Sequence, residues 1–128
     1  MTPFMLDGKS YNVIVPADGI KRSARITDGE NVGRTLSGFM IRDIIGTYYN
    51  YTISVDTKQT ALAEYDALYE AITAPVDSHI LKVPYGQGTM EFEAYITSVD
   101  DTLSTMSYGN RWEGLTLSFI AMEPQRRP

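Results

Sequence analysis

The clearest periodic pattern along this chain is helical. Apolar side chains recur at spacings of three and four between residues 61 and 72, which places them on one stripe of a helix. The stripe consists of Ala61, Leu62, Tyr65, Leu68, Tyr69 and Ile72. We expect a helix over residues 57–73, with Asp56 as its N-cap, Gln59 completing a capping box and Pro75 just beyond its end.

Other stretches alternate apolar and polar positions, which predicts half-buried strands. They are residues 10–15, 39–55, 80–83, 90–99 and 114–122. Residues 84–88 have the composition of a turn, which predicts a hairpin on either side of them. Gly46 predicts a bulge or a bend inside 39–55, although a turn at Asp43 would make that stretch a hairpin.

Two polar segments are predicted to be connections. Residues 17–38 are punctuated by glycine and contain one short extended candidate at 22–27, so we expect a long loop. A loop of that length inside a compact domain is more often functional than accidental. Residues 100–111 are predicted to form a second long connection, with its turn at 108–110.

The elements together predict a mostly β fold of the α+β class with one flanking amphipathic helix. No repeat or linker divides the 128 residues, and domains usually contain roughly 100 to 200 residues, so we expect a single domain over 1–128. Without any cysteine the chain forms no disulfides and has no thiolate sites.

The charge balance argues against a reader of nucleic acid. A formal net charge of −5 lacks the clustered basic footprint of such proteins. No apolar run approaches the roughly 20 residues that cross a bilayer, and the first residues do not resemble a signal peptide. We therefore expect a soluble protein that is not exported and does not bind membranes.

Few residues offer chemistry. His79 is the only histidine, which excludes a histidine-pair zinc site within the chain, and we interpret it as a polar residue near Asp77 where a strand begins. Glu91 and Glu93 lie two residues apart on one strand face, roughly 7 Å between Cα atoms, which is near the carboxylate separation of glycosidases. The favoured interpretation is a solvated acidic face, and a small carboxylate-dependent hydrolase is the less favoured one. We expect no cofactor, no metal and no catalysis.

Basic and aromatic residues favour protein contact instead. Lys21, Arg22 and Arg25 form a cluster that is either a solvated loop or a docking surface for an acidic neighbouring subunit. The nine tyrosines exceed what one core holds, and tyrosine is enriched at interfaces. Our candidates for a subunit interface are Lys21, Arg22, Arg25, Arg34, Tyr48, Tyr49 and Tyr51.

The order of elements resembles the tail-tube fold of long-tailed bacteriophages, which tube proteins, distal tail proteins and injection-system tubes share. Residues 33–51, GRTLSGFMIRDIIGTYYNY, are similar to a stretch of phage and prophage tail-region proteins. Residues 112–124, WEGLTLSFIAMEP, are similar to the way such small proteins end. The resemblance implies an antiparallel two-sheet sandwich or split barrel with the helix on its flank, and subunits joined edge to edge into a ring, commonly a hexamer.

In functional terms the resemblance implies a structural virion component that assembles into a tail tube or a baseplate ring. Its partners would be copies of itself and other tail proteins, in the virion tail and, during assembly, in the bacterial cytoplasm. Residues 17–38 would form an arm to the next subunit. Glu91 and Glu93 would line an acidic lumen through which DNA passes without sticking. The alternative is a tail-associated adaptor that binds another tail protein without forming a ring.

Overall fold

The computed structural model describes residues 4–29, 33–56, 62–106 and 109–128. Nine strands and one helix lie in these ranges. In chain order they are β1 (Met5–Leu6), β2 (Lys9–Ser10), β3 (Ile20–Asp28), β4 (Gly33–Arg34), β5 (Met40–Ile41), β6 (Ile44–Val55), α1 (Leu62–Ile72), β7 (His79–Tyr85), β8 (Gly88–Thr105) and β9 (Arg111–Ala121).

Seven strands form one antiparallel sheet in the order β2-β1-β7-β8-β9-β6-β3, and β4 pairs only with β5. The prediction of a mostly β fold with one helix is therefore confirmed. Within the described residues the large strands belong to a single sheet, so a division into two facing sheets is not seen there.

One face of this sheet, called here the core face, carries the buried side chains. Ile53 of β6, Leu117 of β9 and Leu81 of β7 lie on it, all fully buried. The helix α1 adds Tyr65, Leu68 and Ile72 to the same cluster, and the Tyr65 hydroxyl donates a hydrogen bond to Asp101 in β8. The amphipathic stripe thus predicted the buried side of the helix correctly. The predicted first turn at 57–61, with Gln59, lies outside the described residues.

The sheet curves around its core face. The Tyr51 ring of β6 lies 6.0 Å from the Phe92 ring of β8, and the Tyr51 hydroxyl donates to the Pro84 carbonyl oxygen of β7 at 2.9 Å. In the sheet order β6 and β7 are separated by β9 and β8, so these contacts cross the core instead of following the sheet.

The predicted strand at 10–15 is wrong in its pairing. The strand β2 ends at Ser10, and beyond it only Ile14 forms an isolated bridge, to Asp56. Tyr11 and Val13 are nevertheless buried, and the Val13 amide donates to the Tyr11 carbonyl in a tight turn. The alternation of apolar and polar residues therefore indicated which side chains are buried, but it did not indicate a strand of the sheet.

The predicted long loop at 17–38 is also wrong over much of its length. Residues Ile20–Asp28 form a nine-residue strand, β3, paired along its length with β6. The predicted connection at 100–111 is too long as well, because β8 continues to Thr105 and pairs with β9 from Arg111 onward.

The bulge or bend predicted at Gly46 is present as a bulge, but the predicted strand 39–55 is broken at residues 42–43, where β5 ends and β6 begins. Thr27 pairs with Gly46 and Asp28 with Ile44, so Ile45 is an extra residue on β6. A Cβ on Gly46 would lie 2.6 Å from the Pro124 side chain, which explains why glycine suits this position. The hairpin predicted around residues 84–88 is confirmed too, since β7 pairs with β8 down to Tyr85 and Gly88.

Candidate assembly surface

The small hairpin of β4 and β5 forms no ladder with the main sheet. Its turn is fixed by the Thr35 amide, which donates to the Phe39 carbonyl at 2.7 Å, and by the Thr35 hydroxyl, which accepts from the Phe39 amide at 3.1 Å. Gly38 has φ of 86°, a conformation that favours glycine. We call residues 33–45, which comprise this hairpin and the start of β6, the arm. Of the arm expected over residues 17–38, only residues 33–38 belong to it, because residues 20–28 pair with β6 as β3.

The arm is the most apolar exposed part of the described chain. Leu36 is fully exposed and Phe39 is 71% exposed, and four more large apolar side chains of the arm are also in solvent. These four are Met40, Ile41, Ile44 and Ile45. Contiguous apolar surface of this kind marks sites of interaction in soluble proteins, whereas apolar residues scattered singly do not.

The base of the arm is fixed to the end of β3. The Arg42 guanidinium donates two hydrogen bonds of 3.1 Å, from Nε and Nη2, to the two carboxylate oxygens of Asp28. Beside it, the Gly29 amide donates to the Asp43 carbonyl at 2.6 Å. A bidentate pair fixes orientation as well as distance. The arm is therefore held in a defined direction relative to β3.

The strand β3 lies at the edge of the sheet and has one open side. The Ser54 amide donates to the Gly19 carbonyl at 2.7 Å. Hydrogen-bonded and non-bonded pairs alternate in an antiparallel ladder, so the intervening residues of β3 direct their N–H and C=O groups away from β6. These residues are Ile20, Arg22, Ala24 and Ile26. Such a row of backbone groups is a template for another strand.

The basic residues predicted as a docking surface lie on this edge strand. Lys21 and Arg25 are exposed and pair with Thr52 and Tyr48 of β6, which places them on the outer face of the sheet, opposite the core face. Tyr48 is half-buried there. Arg25 and Tyr48 are therefore cross-strand neighbours, and Lys21 lies on the same face four residues away along β3.

Arg22 lies on the core face and contacts the predicted tyrosines. Its guanidinium is 5.4 Å from the centre of the Tyr85 ring, and the Tyr85 and Tyr49 hydroxyls are 3.1 Å apart. The hydrogen bond with Tyr85, helped by a second one with Arg126, holds the pKa of Tyr49 below its ordinary value. Arg22 and Tyr49 therefore link β3 and β6 to β7 within one chain.

Tyr51 does not belong to this surface. Its side chain is 1% exposed, and burial raises the pKa of its hydroxyl. Because Tyr51 is a residue of the core, it forms no part of the surface of the folded chain. Its selection as an interface residue is therefore wrong. For Arg34 only the position in β4 is described, and its side chain lies outside the described part.

Glu91 and Glu93 occupy the outer face of β8, as the alternation predicted. They pair with Lys82 and Ile80 of β7, and both are exposed beside a shallow cavity of about 300 Å³ that Glu123 also lines. No group of three or more metal-ligating side chains occurs in the ranges that the structure describes.

His79 has a role that the sequence did not reveal. It is 6% exposed, and its Nδ1 lies 2.7 Å from a carboxylate oxygen of Asp7, whose other oxygen accepts from the Ile80 amide at 2.8 Å. Burial raises the pKa of Asp7, but these two hydrogen bonds outweigh it and leave the pKa below its ordinary value. The pair ties the turn after β1 to β7, which is a structural role.

The comparisons with known proteins add no relative. No family model matches the sequence, and no match is found among the curated proteins. Within the described residues no helix has the length and apolar character needed to cross a membrane.

None of the interface candidates chosen from the sequence is one of the exposed apolar residues of the arm. The signal was present in residues 39–45, where five large apolar side chains surround only Arg42 and Asp43. So dense a run without alternation was assigned to a strand, and a strand was expected to bury one side of it. Exposure of nearly all of these side chains could not be deduced from the pattern.

Proposed function

We propose that this chain is a structural component of a phage or prophage tail, and that it works by assembling with copies of itself into a ring or a tube. The observation that carries the proposal is the arm, whose six large apolar side chains lie in solvent on a hairpin of fixed direction. A chain that buries its own core and leaves such a segment uncovered is suited to a partner surface.

The open edge of β3 supports the same proposal. An exposed edge strand of nine residues promotes unwanted pairing unless a partner covers it or charges protect it. Ring closure through a head-to-tail contact covers one such edge in every subunit.

The fold is compatible with the tail-tube resemblance. Its strands are antiparallel and one helix packs on the core face. The contacts of Tyr51 and Tyr49 with β7 bend the sheet in the sense that a split barrel requires, and we take a split barrel as the finer description of the fold.

The acidic outer face has a place in this proposal. Glu91 and Glu93 are exposed on β8, away from the basic edge at β3. In a ring that directs this part of the outer face toward its opening, the two carboxylates repel DNA phosphates and let the duplex pass without adhesion.

Electron microscopy of the purified chain at high concentration tests the proposal. We expect closed rings or short tubes with a central opening. Uniform single particles of one-chain size would contradict self-assembly and would favour an adaptor that binds a different tail protein through the arm. The matched sample is the double variant Leu36→Ser with Phe39→Ser, which should give dispersed particles.

A further inference from the structure

Besides β3 and the two-residue strand β2 at the ends of the sheet, the described structure has a further open strand edge. The ladder between β7 and β8 ends at the pair His79 and Ala94, whereas β8 continues to Thr105 with β9 on its other side only. In the described part of the chain no strand pairs with that side of β8 beyond Ala94.

A groove of about 690 Å³ runs along residues 95–99 of β8. The connection between α1 and β7, residues 73–78, forms its opposite wall. Val76 and Met122, both well exposed, and Tyr95 supply apolar surface in it. The open side of β8 therefore combines backbone groups that no described strand pairs with and a groove lined by both polar and apolar residues.

The open edges of β3 and of β8 carry opposite charges. In β3 three basic residues, Lys21, Arg22 and Arg25, accompany a single acid, Asp28, which pairs with Arg42. Residues 73–78 and 95–105 contain Asp77, Asp100 and Asp101 and neither lysine nor arginine. Lysine and arginine on an edge discourage pairing with a neutral or basic strand, so an acidic edge is the complementary one.

We propose that β3 of one copy adds as an antiparallel strand to the open side of β8, residues 95–104, in a second copy. This inference rests on the proposed self-assembly and names the two surfaces that meet. The second copy of the chain is the partner, and the contact is head to tail.

The strand directions allow this contact without turning either copy over. All neighbours in the sheet are antiparallel, so β7, β9 and β3 run opposite to β8 and β6. In copies of the same orientation β3 thus lies antiparallel to β8 of the neighbour and in line with its β7. The core faces of both copies then lie on the same side, which lets the contact repeat around a ring.

The same direction brings the arm to the groove. Antiparallel pairing sets the Asp28 end of β3 beside Tyr95 and its Ile20 end toward Thr105. Because the Arg42–Asp28 pair ties the base of the arm to this end of β3, the arm lies at the end of the contact where the neighbouring copy has its groove. Pairing of β3 with β3 is disfavoured, since it would gather the basic residues of both copies.

Cysteine cross-linking tests the inference, because the natural chain has no cysteine. Ser23→Cys on β3 is mixed with Thr97→Cys, Ser98→Cys or Thr102→Cys on β8 under mild oxidation, and Lys9→Cys on β2 is the control for β8. We expect a cross-linked dimer in at least one β3 and β8 mixture and none with Lys9→Cys. A chain with both β3 and β8 cysteines should give a ladder of higher products.

A charge exchange is the second readout. Lys21→Glu with Arg25→Glu should slow the cross-link about tenfold, and Asp100→Lys in the other component should restore it, because complementary charges govern association. Cross-linked dimers of Ser23→Cys alone, or oligomers by light scattering without any β3 to β8 cross-link, would overturn the inference and leave self-assembly standing. Monomers throughout would overturn both.

Discussion

Two leucines show how differently two regions of this chain use apolar side chains. Leu117 lies in β9 between β6 and β8 and is fully buried, while Leu36 lies at the turn of the arm and is fully exposed. The first region buries its apolar side chains within one chain. The second leaves it in water on a hairpin of fixed direction. The difference separates the residues that fold the monomer from those available to join monomers.

The same substitution at both leucines gives the largest expected contrast. Leu117→Ala should lower the free energy of unfolding by about 2–5 kcal/mol, since it removes buried methyl groups and leaves a cavity. Leu36→Ala should change it by less than about 0.5 kcal/mol, because no contact within the chain is lost. Urea unfolding at low protein concentration measures both. Similar losses at the two sites would contradict the division into two regions.

Polar substitutions in the arm test the second region, whose apolar side chains are expected to join monomers. Leu36→Ser with Phe39→Ser should weaken self-association at least about tenfold, since central apolar residues of an interface each contribute more than about 1 kcal/mol. The free energy of unfolding of the monomer should stay the same. Sedimentation equilibrium measures the association. Association of unchanged strength would remove the arm from the interface.

A pair of tyrosines tests the boundary between the regions. Tyr51→Phe should cost about 1 kcal/mol of folding free energy, because the Pro84 carbonyl loses its donor within the core. Tyr48→Phe, on the half-buried outer face, is the matched control and should change stability by less than about 0.5 kcal/mol. Thermal unfolding of both variants measures the difference, and an equal cost would mean that the Tyr51 hydrogen bond adds nothing.

The smallest expected effect concerns pH. The pKa of Asp7 is lower in the folded chain than its ordinary value near about 4, so its ionised form stabilises the fold above that pH and the contribution disappears as pH falls through the folded pKa. Asp7→Asn should therefore be less stable than the natural chain near neutrality, with the gap closing in acid. Asp18→Asn, also at positive φ, is the control for replacing aspartate by asparagine at such a backbone position. A gap independent of pH down to about 2 would contradict the assignment.

Much of the monomer could be predicted from the sequence, because side chains buried on one face recur along the chain with the period of a helix or of a strand. The stripe of α1 and the alternation in β8 and β9 each put large apolar side chains on the core face, and those elements lie where the pattern predicts. At Tyr11 and Val13 the same signal failed, since two alternate residues are buried without a ladder.

Of the edge strand β3 only residues 22–27 were predicted to be extended, and no periodicity marked the strand as part of the sheet. Most side chains of β3 are exposed on both faces, so it has no apolar alternation and is held by backbone pairing with β6. The far half of β8 is similarly polar, which is why residues 100–105 were taken for a connection. The proposal depends most on the open edges of β3 and β8 and on the arm. These are the elements whose sequences show the least alternation of buried and exposed positions.

The most direct test is the mass in solution, measured by light scattering coupled to size exclusion over a wide range of concentrations at moderate salt. The natural chain should show a closed multiple of the single-chain mass or a mass that rises with concentration, and the chain with Leu36→Ser and Phe39→Ser should stay monomeric. A natural chain that remains monomeric at the highest concentration, or a variant that associates as strongly as the natural chain, would contradict assembly through the arm.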